Sequence, residues 1–243
     1  MTRAPRQAFI VSHTHWDLEW YLPFSRFRVN LAEIVDRVLS ALEHDPQFRC
    51  FVLDGQAAVL EDYHAAVPGD RDRVARLVLR GALALGTLYI LPDEFLVAGE
   101  AAVRNLLFGR KVCAPFGPTQ RAGYMPDSFG HPGQTPQLLR LAGLDSFIFT
   151  RGLGDEADEL GWLFRWEGPD GSSVLAVNQC DGYCNAAGLG FAEIWHAHTR
   201  RAVDLTKAVA KVRELFAQMA RRPGAEPALL NNGCDHFPPQ QDF

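Results

Sequence analysis

Ala8-Phe-Ile-Val11-Ser-His13-Thr-His15-Trp16-Asp17-Leu-Glu19-Trp20-Tyr21 is the stretch on which the architecture turns. Its apolar start reads as a buried strand. Residues two apart on a strand share a face, so His15 and Asp17 project together where that strand ends. An imidazole and a carboxylate so placed suit a divalent metal such as zinc. Trp16, Trp20 and Tyr21 set aromatic surface beside them, and flat aromatic faces suit sugar rings.

Further short runs repeat the strand signal at Phe51–Leu53, Leu88–Leu91, Gly123–Met125, Ser146–Thr150, Val174–Val177 and Ala228–Asn231. Segments of helical period separate them. Leu31, Ile34, Val35, Val38, Leu39 and Leu42 form one apolar stripe, with Asn30 and Glu33 placed as a capping box. Val74, Leu77 and Val78 mark a second helix. Val103, Leu106, Leu107 and Arg110 mark a third, and Leu205, Val209, Val212, Phe216 and Met219 a fourth. Strands alternating with helices predict an α/β fold with a parallel sheet, closed or open, and about seven strands favour a closed (β/α) barrel. Residues 1–243 read as one such domain, incomplete at its C-terminal end, because no helix follows the last strand.

Chemistry in such folds sits at the carboxyl ends of the strands. Asp17, Asp54, Asp93 with Glu94, Asp127, Arg151, Asn178 and Asp235 fall there in order. Asp127 lies in Met125-Pro-Asp127-Ser-Phe129-Gly-His131-Pro132, a sharp loop that can hold a carboxylate rigidly. Alone it reads equally as a turn residue; with His15 and Asp17 it completes a His/Asp/Asp donor set. Asp235, in Asn231-Asn-Gly-Cys234-Asp235-His236, suits the second carboxyl group of a glycosidase or an asparagine-rich turn. Arg151 can orient a neighbouring carboxylate or serve as a surface ion pair. Asp93 and Glu94 suit either site support or a helix cap. His196 and His198 have a ligand-like spacing but read as a solvated helix start.

Bulk properties narrow the classes. The net charge of -5 leaves no basic footprint for nucleic acid. No apolar run approaches the roughly 20 residues that span a membrane, and the N-terminus carries no secretory pattern. Five cysteines without a Cys-x-x-Cys pair read as reduced thiols of a cytoplasmic protein. Phosphate-binding glycine loops, a nucleophile elbow and His-Glu-x-x-His are all missing.

Four blocks, HTHWDLEWY (13–21), LPDEFLVAGE (91–100), MPDSFGHPGQ (125–134) and NNGCDH (231–236), resemble in order those of glycoside hydrolase family 38, the zinc-dependent α-mannosidases. FTRG (149–152) falls between the last two, and FVLDGQAAVLEDY (51–63) is similar to the bacterial branch. The resemblance implies zinc held by His15, Asp17 and Asp127. It implies Asp127 as nucleophile of a retaining reaction, Asp235 as acid/base, and Trp20, Phe129 and Arg151 about the sugar. His13, His131 and His236 join Asp93 and Glu94 as candidates for supporting roles. The implied partner is a mannose-containing oligosaccharide. The family's fourth zinc ligand, a histidine, lies downstream of the acid/base block, and no such block precedes Phe243. A metal-dependent polysaccharide deacetylase is the rival enzyme, although its His-x-x-x-His pair is absent. An inactive sugar-binding fragment is the rival without chemistry.

Overall fold

The computed structural model describes residues 5–191, 202–224 and 226–240. Its strands are β1 (Ala8–Thr14), β2 (Phe51–Leu53), β3 (Leu83–Leu85), β4 (Ala122–Met125), β5 (Ser146–Phe149), β6 (Leu163–Glu167), β7 (Ser173–Asn178) and β8 (Ala228–Asn232). The helices are α1 (Phe24–His44), α2 (Ala58–Ala66), α3 (Arg71–Leu79), α4 (Gly99–Cys113), α5 (Thr135–Leu141), α6 (Ala157–Leu160) and α7 (Leu205–Met219). The expected α/β class with parallel pairing holds. The expected single ring of about seven strands does not: the strands form two four-stranded sheets, ordered β3-β2-β1-β8 and β4-β5-β7-β6. Among the described residues, only β6 and β7 pair antiparallel.

Two strand assignments change. The third strand is Leu83–Leu85, bracketed by Gly81 and Gly86, and not Leu88–Leu91. Leu88 makes only an isolated bridge to Gln56. The backbone of Ile90 is satisfied by the Asn105 amide, which accepts from its N–H and donates to its carbonyl, each at 2.8 Å. A side chain thus supplies the bonds a strand partner would have made. The unexpected strand, Leu163-Phe-Arg165-Trp166-Glu167, is a half-exposed edge strand whose charged positions mask its alternation.

The stripe of α1 is buried as expected, but the helix starts about two turns earlier, at Phe24 behind Pro23, because Phe27 extends the same apolar face. Asn30 and Glu33 therefore lie inside it and cap nothing. With α2 and α3 this face packs on β2 and β3, and each fully buried Leu, Ile or Val contributes about 1.5–3 kcal/mol. The buried face of α4 is Leu106, Gly109 and Cys113, leaving Val103 and Leu107 outside. In α7, capped by the Asp204 carboxylate, Ala208, Leu215 and Met219 are buried while Leu205 and Val209 are exposed. His196 and His198 lie outside the described residues. Among the described residues no helix is long and apolar enough to cross a membrane.

The parallel pairing of β1 with β8 runs from Ala8 opposite Ala228 to Ser12 opposite Asn232. Just beyond it the two chains approach so closely that a Cβ on Gly233 would lie 1.8 Å from the His13 carbonyl oxygen. Only glycine fits there without a backbone shift. Gly233→Ala is therefore expected to lower unfolding free energy by about 1–3 kcal/mol or more. Gly69→Ala, which meets open space, should stay within about 0.5 kcal/mol of the parent. Urea titration followed by circular dichroism checks both.

Candidate active site

The β1–β8 ladder continues past its strands. The His15 N–H donates to the Cys234 carbonyl at 3.1 Å and the His236 N–H to the His15 carbonyl at 2.8 Å, making His15 and Asp235 parallel neighbours. Residues from the first and last strand ends are thereby held at one rim.

His15 is almost fully buried, and its Nδ1 lies 3.4 Å from the carboxylate of Asp54, which has no exposed surface. Asp54 sits at φ 54° after β2. It accepts from the Gly55 N–H (2.7 Å), the Trp16 N–H (2.9 Å) and the Gln56 amide (2.8 Å). Burial works against ionisation of both partners, yet their mutual attraction wins. The His15 imidazole is raised to about 9, with Asp17 and Asp235 adding to the effect of Asp54, and the Asp54 carboxyl is held low. With Nδ1 committed to Asp54, Nε2 faces Asp17 Oδ1 at 3.9 Å. A carboxylate that orients an imidazole this way is the usual support of a metal-binding histidine.

Asp127, after β4, lies on the same cleft and pairs with the Arg151 guanidinium at 2.6 Å. Burial pushes its carboxyl above the ordinary range, opposed by Arg151 and His15 and reinforced by Asp235 and Asp17. Arg151 also stacks over the Phe129 ring at 4.7 Å. Asp235 accepts from the Tyr183 hydroxyl at 2.9 Å, and the same hydroxyl reaches Asp127 Oδ1 at 3.5 Å. The cleft, about 300 Å³, is lined by His15, Trp16, Asp17, Gln56, Asp93, Asp127 and Phe129 among others. A larger cavity of about 420 Å³ lies elsewhere, against His64, Arg71, Lys111 and Phe116, with none of these carboxylates.

The remaining candidates take definite places. His13 is buried and held neutral near 4 by desolvation, its Nε2 donating to the Tyr183 carbonyl at 2.8 Å. His131 contacts Glu94 at 2.5 Å and donates to the Arg151 carbonyl at 3.1 Å. It thus supports Asp127 through the Arg151 loop, not directly. Glu94 also accepts from Thr135, and Asp93 accepts from the Phe129 N–H at 3.2 Å, so both brace loops and neither caps a helix by its side chain. His236 lies against the Asp17 N–H (3.1 Å) and the Tyr21 hydroxyl (3.0 Å). Trp20 is 66% exposed and meets Tyr21 edge to face outside the cleft lining, whereas Trp16 is the buried aromatic beside His15.

His15, Asp17 and Asp127 share the cleft without closing on one point. The one trio of such donor atoms within 4.8 Å of one another among the described residues is Cys184, Cys234 and Asp235. Those two sulfurs are joined as a disulfide, which corrects the expectation of reduced thiols. The pairing spans 50 residues, so spacing could not disclose it. Cys50, Cys113 and Cys180 are free. Sequence reasoning noted Asp54 by its strand-end position without its partner, passed over Gln56 although it lies in FVLDGQAAVLEDY, and missed Tyr183, which sits in none of the quoted blocks.

The His15–Asp54 pair has a pH signature. The imidazole value is raised on folding, so its contribution is complete below about 6.5 and is lost as pH rises through about 9. Metal-free protein should lose stability from pH 6.5 to 9. Asp54→Asn should remove that slope and cost about 3–5 kcal/mol at pH 6.5, measured by denaturant unfolding at each pH.

Comparison with known proteins bears on the family and the fold. The description "Glycosyl hydrolases family 38 N-terminal domain" fits residues 5–242. A Halalkalibacterium halodurans protein named "Putative mannosylglycerate hydrolase" is 38% identical over 98% of this chain and 26% of its own length. Human "Alpha-mannosidase 2C1" is 30% identical over 67% of the chain and 16% of its own length. The crystal structure of an α-mannosidase from Enterococcus faecalis superposes with a TM-score of 0.86 at 36% identity, over 97% of this chain and 26% of that one. The chain thus spans about a quarter of the length of these bacterial relatives. On the match of nearly its whole length, the chain belongs to glycoside hydrolase family 38, as its N-terminal domain.

Proposed function

We propose that this domain carries the catalytic carboxylates of a zinc-dependent retaining α-mannosidase that removes terminal α-linked mannose from oligosaccharides. The observation that carries the reading is the Tyr183 hydroxyl shared between Asp127 and Asp235. Its contacts of 3.5 Å and 2.9 Å bring one oxygen of each carboxylate to the same hydroxyl, a closeness compatible with the roughly 5–5.5 Å of retention. Family membership makes the deacetylase reading unnecessary.

Asp127, oriented by Arg151, attacks the anomeric carbon while Asp235 passes its proton to the departing glycosidic oxygen. Asp235 then takes a proton from water, which displaces the sugar from Asp127 with net retention. Arg151 and the half-buried setting fix the nucleophile's angle. Phe129 offers a ring face to the sugar, and Trp20 at the rim suits a neighbouring residue of the glycan. The chemistry of the donors fits zinc: an imidazole with its Nε2 left free, and a carboxylate oxygen 3.9 Å away, near the roughly 3.3 Å expected of two atoms bound to one tetrahedral ion. His15 and Asp17 would hold the ion, with Asp127 turning toward it. Held by these residues, zinc would supply a Lewis-acidic charge beside the sugar hydroxyls. The name of the Halalkalibacterium halodurans relative supports mannosylglycerate as a second substrate to assay, since the mannose-binding groups would be the same.

Three results are expected. Asp127→Asn should reduce kcat by about a thousandfold or more on a nitrophenyl α-mannoside. Asp235→Asn should lower kcat by about 10²–10⁴-fold on poor leaving groups. Both are measured in the chain completed to the length of its relatives, and a variant as active as its parent overturns the assigned role. In the present chain, zinc must displace the His15 proton, so affinity should fall about tenfold per pH unit below about 9. Calorimetry in buffers of different ionisation enthalpy reads the released proton. Affinity independent of pH would exclude His15 as a ligand.

A further inference from the structure

Asp235 is flanked by Cys234, and Tyr183, whose hydroxyl it accepts from, is flanked by Cys184. The two cysteines are bonded to each other. The disulfide therefore closes a small ring whose far side is the hydrogen bond between Tyr183 and Asp235. The two halves of that ring have separate anchors. On the β8 side, the Cys234 carbonyl accepts from the His15 N–H at 3.1 Å and the Thr14 hydroxyl at 3.3 Å. On the other side, Tyr183 follows Asp181 and Gly182, both at positive φ, in the loop after β7. That loop is held by the His13–Tyr183 bond and by Asn185, which donates to the Cys180 and Leu229 carbonyls and accepts from the Asn231 N–H. These anchors act on backbone. The covalent link beside the two side chains is the disulfide.

We propose that the Cys184–Cys234 disulfide is a positioning element for the acid/base carboxyl group: it holds Tyr183 against Asp235, and its reduction lowers proton donation without unfolding the domain. The inference rests on the reading of Asp235 as acid/base. Reduction is ordinary thiol–disulfide exchange. An external dithiol gives up two electrons and two protons, its sulfurs become a disulfide, and Cys184 and Cys234 become thiols. The His13 and Asn185 bonds remain, so the loop stays attached while the side-chain geometry relaxes. A fraction of an ångström lost at a proton donor is enough to slow the step it serves.

The test compares the parent with Cys184→Ser/Cys234→Ser and with Tyr183→Phe, in the chain completed to the length of its relatives. Two substrates are used, an alkyl α-mannoside, which needs leaving-group protonation, and 2,4-dinitrophenyl α-mannoside, which does not. A dithiol should lower the parent's kcat about three- to thirtyfold on the alkyl substrate and under twofold on the dinitrophenyl one, with KM and the melting curve nearly unchanged. Reoxidation should restore it. The double variant should match the reduced parent and ignore the dithiol. Tyr183→Phe should lose about ten- to hundredfold on the alkyl substrate, the worth of one hydrogen bond to a charged group. Equal losses on both substrates, dithiol inhibition of the double variant, or a double variant indistinguishable from the parent would each overturn the proposal. Asp235→Asn in the same assay separates the levels: if it loses activity on the alkyl mannoside while reduction changes nothing, only this inference fails. An Asp235→Asn enzyme with the parent's rate would fell the acid/base reading as well.

Discussion

The pairing of β1 with β8 is the constraint on which the site depends. Both strands come from opposite ends of the chain, and their ladder extends one step past the last regular pair to set His15 beside Asp235. Parallel strands cannot be joined by a tight turn, so closing this pair orders more than two hundred residues between them. The long α1 and the packing of α2 and α3 supply the apolar burial that offsets that ordering. Gly233 is where the approach is closest, and its missing side chain is what lets the two loops share one rim.

Around that rim, charge is organised in two tiers. The inner tier is the buried His15–Asp54 pair, with Gln56 and two backbone N–H groups saturating the carboxylate. A buried ion pair of this kind does little for net stability compared with an apolar pair. Its value lies in leaving one imidazole nitrogen aimed at the cleft. The outer tier is Asp127 with Arg151 and Asp235 with Tyr183, partly exposed and open to a ligand. His131, Glu94 and Thr135 form a separate brace beneath the Arg151 loop, so that the guanidinium is held from both its side chain and its backbone.

Much of this was legible beforehand. The strand-end rule located Asp17, Asp54, Asp127, Arg151 and Asp235, because a short apolar run followed by a polar residue is a local pattern. The α1 stripe was legible for the same reason. Leu83–Leu85 was not, since a Leu/Ala run of three carries no period, and Leu88–Leu91 misled because the Asn105 side chain, not a strand partner, holds the Ile90 backbone. Arg165 and Glu167 hid an edge strand that tolerates charge. Trp20 sits in the most telling block yet lies outside the cleft lining, while Trp16 does the packing beside His15.

What the residues alone determined, then, is the alternation of strands and helices, the order of the polar groups at strand ends, and the family blocks that contain them. Those depend on neighbours within a few positions. Only the tertiary structure decided that eight strands form two sheets, that Asp54 is the partner of His15, and that Tyr183 spans two carboxylates. It also decided that Cys184 finds Cys234. Each of these joins groups 39 to 56 residues apart or sets strand against strand, and such contacts follow from packing, which leaves no periodic trace in the chain.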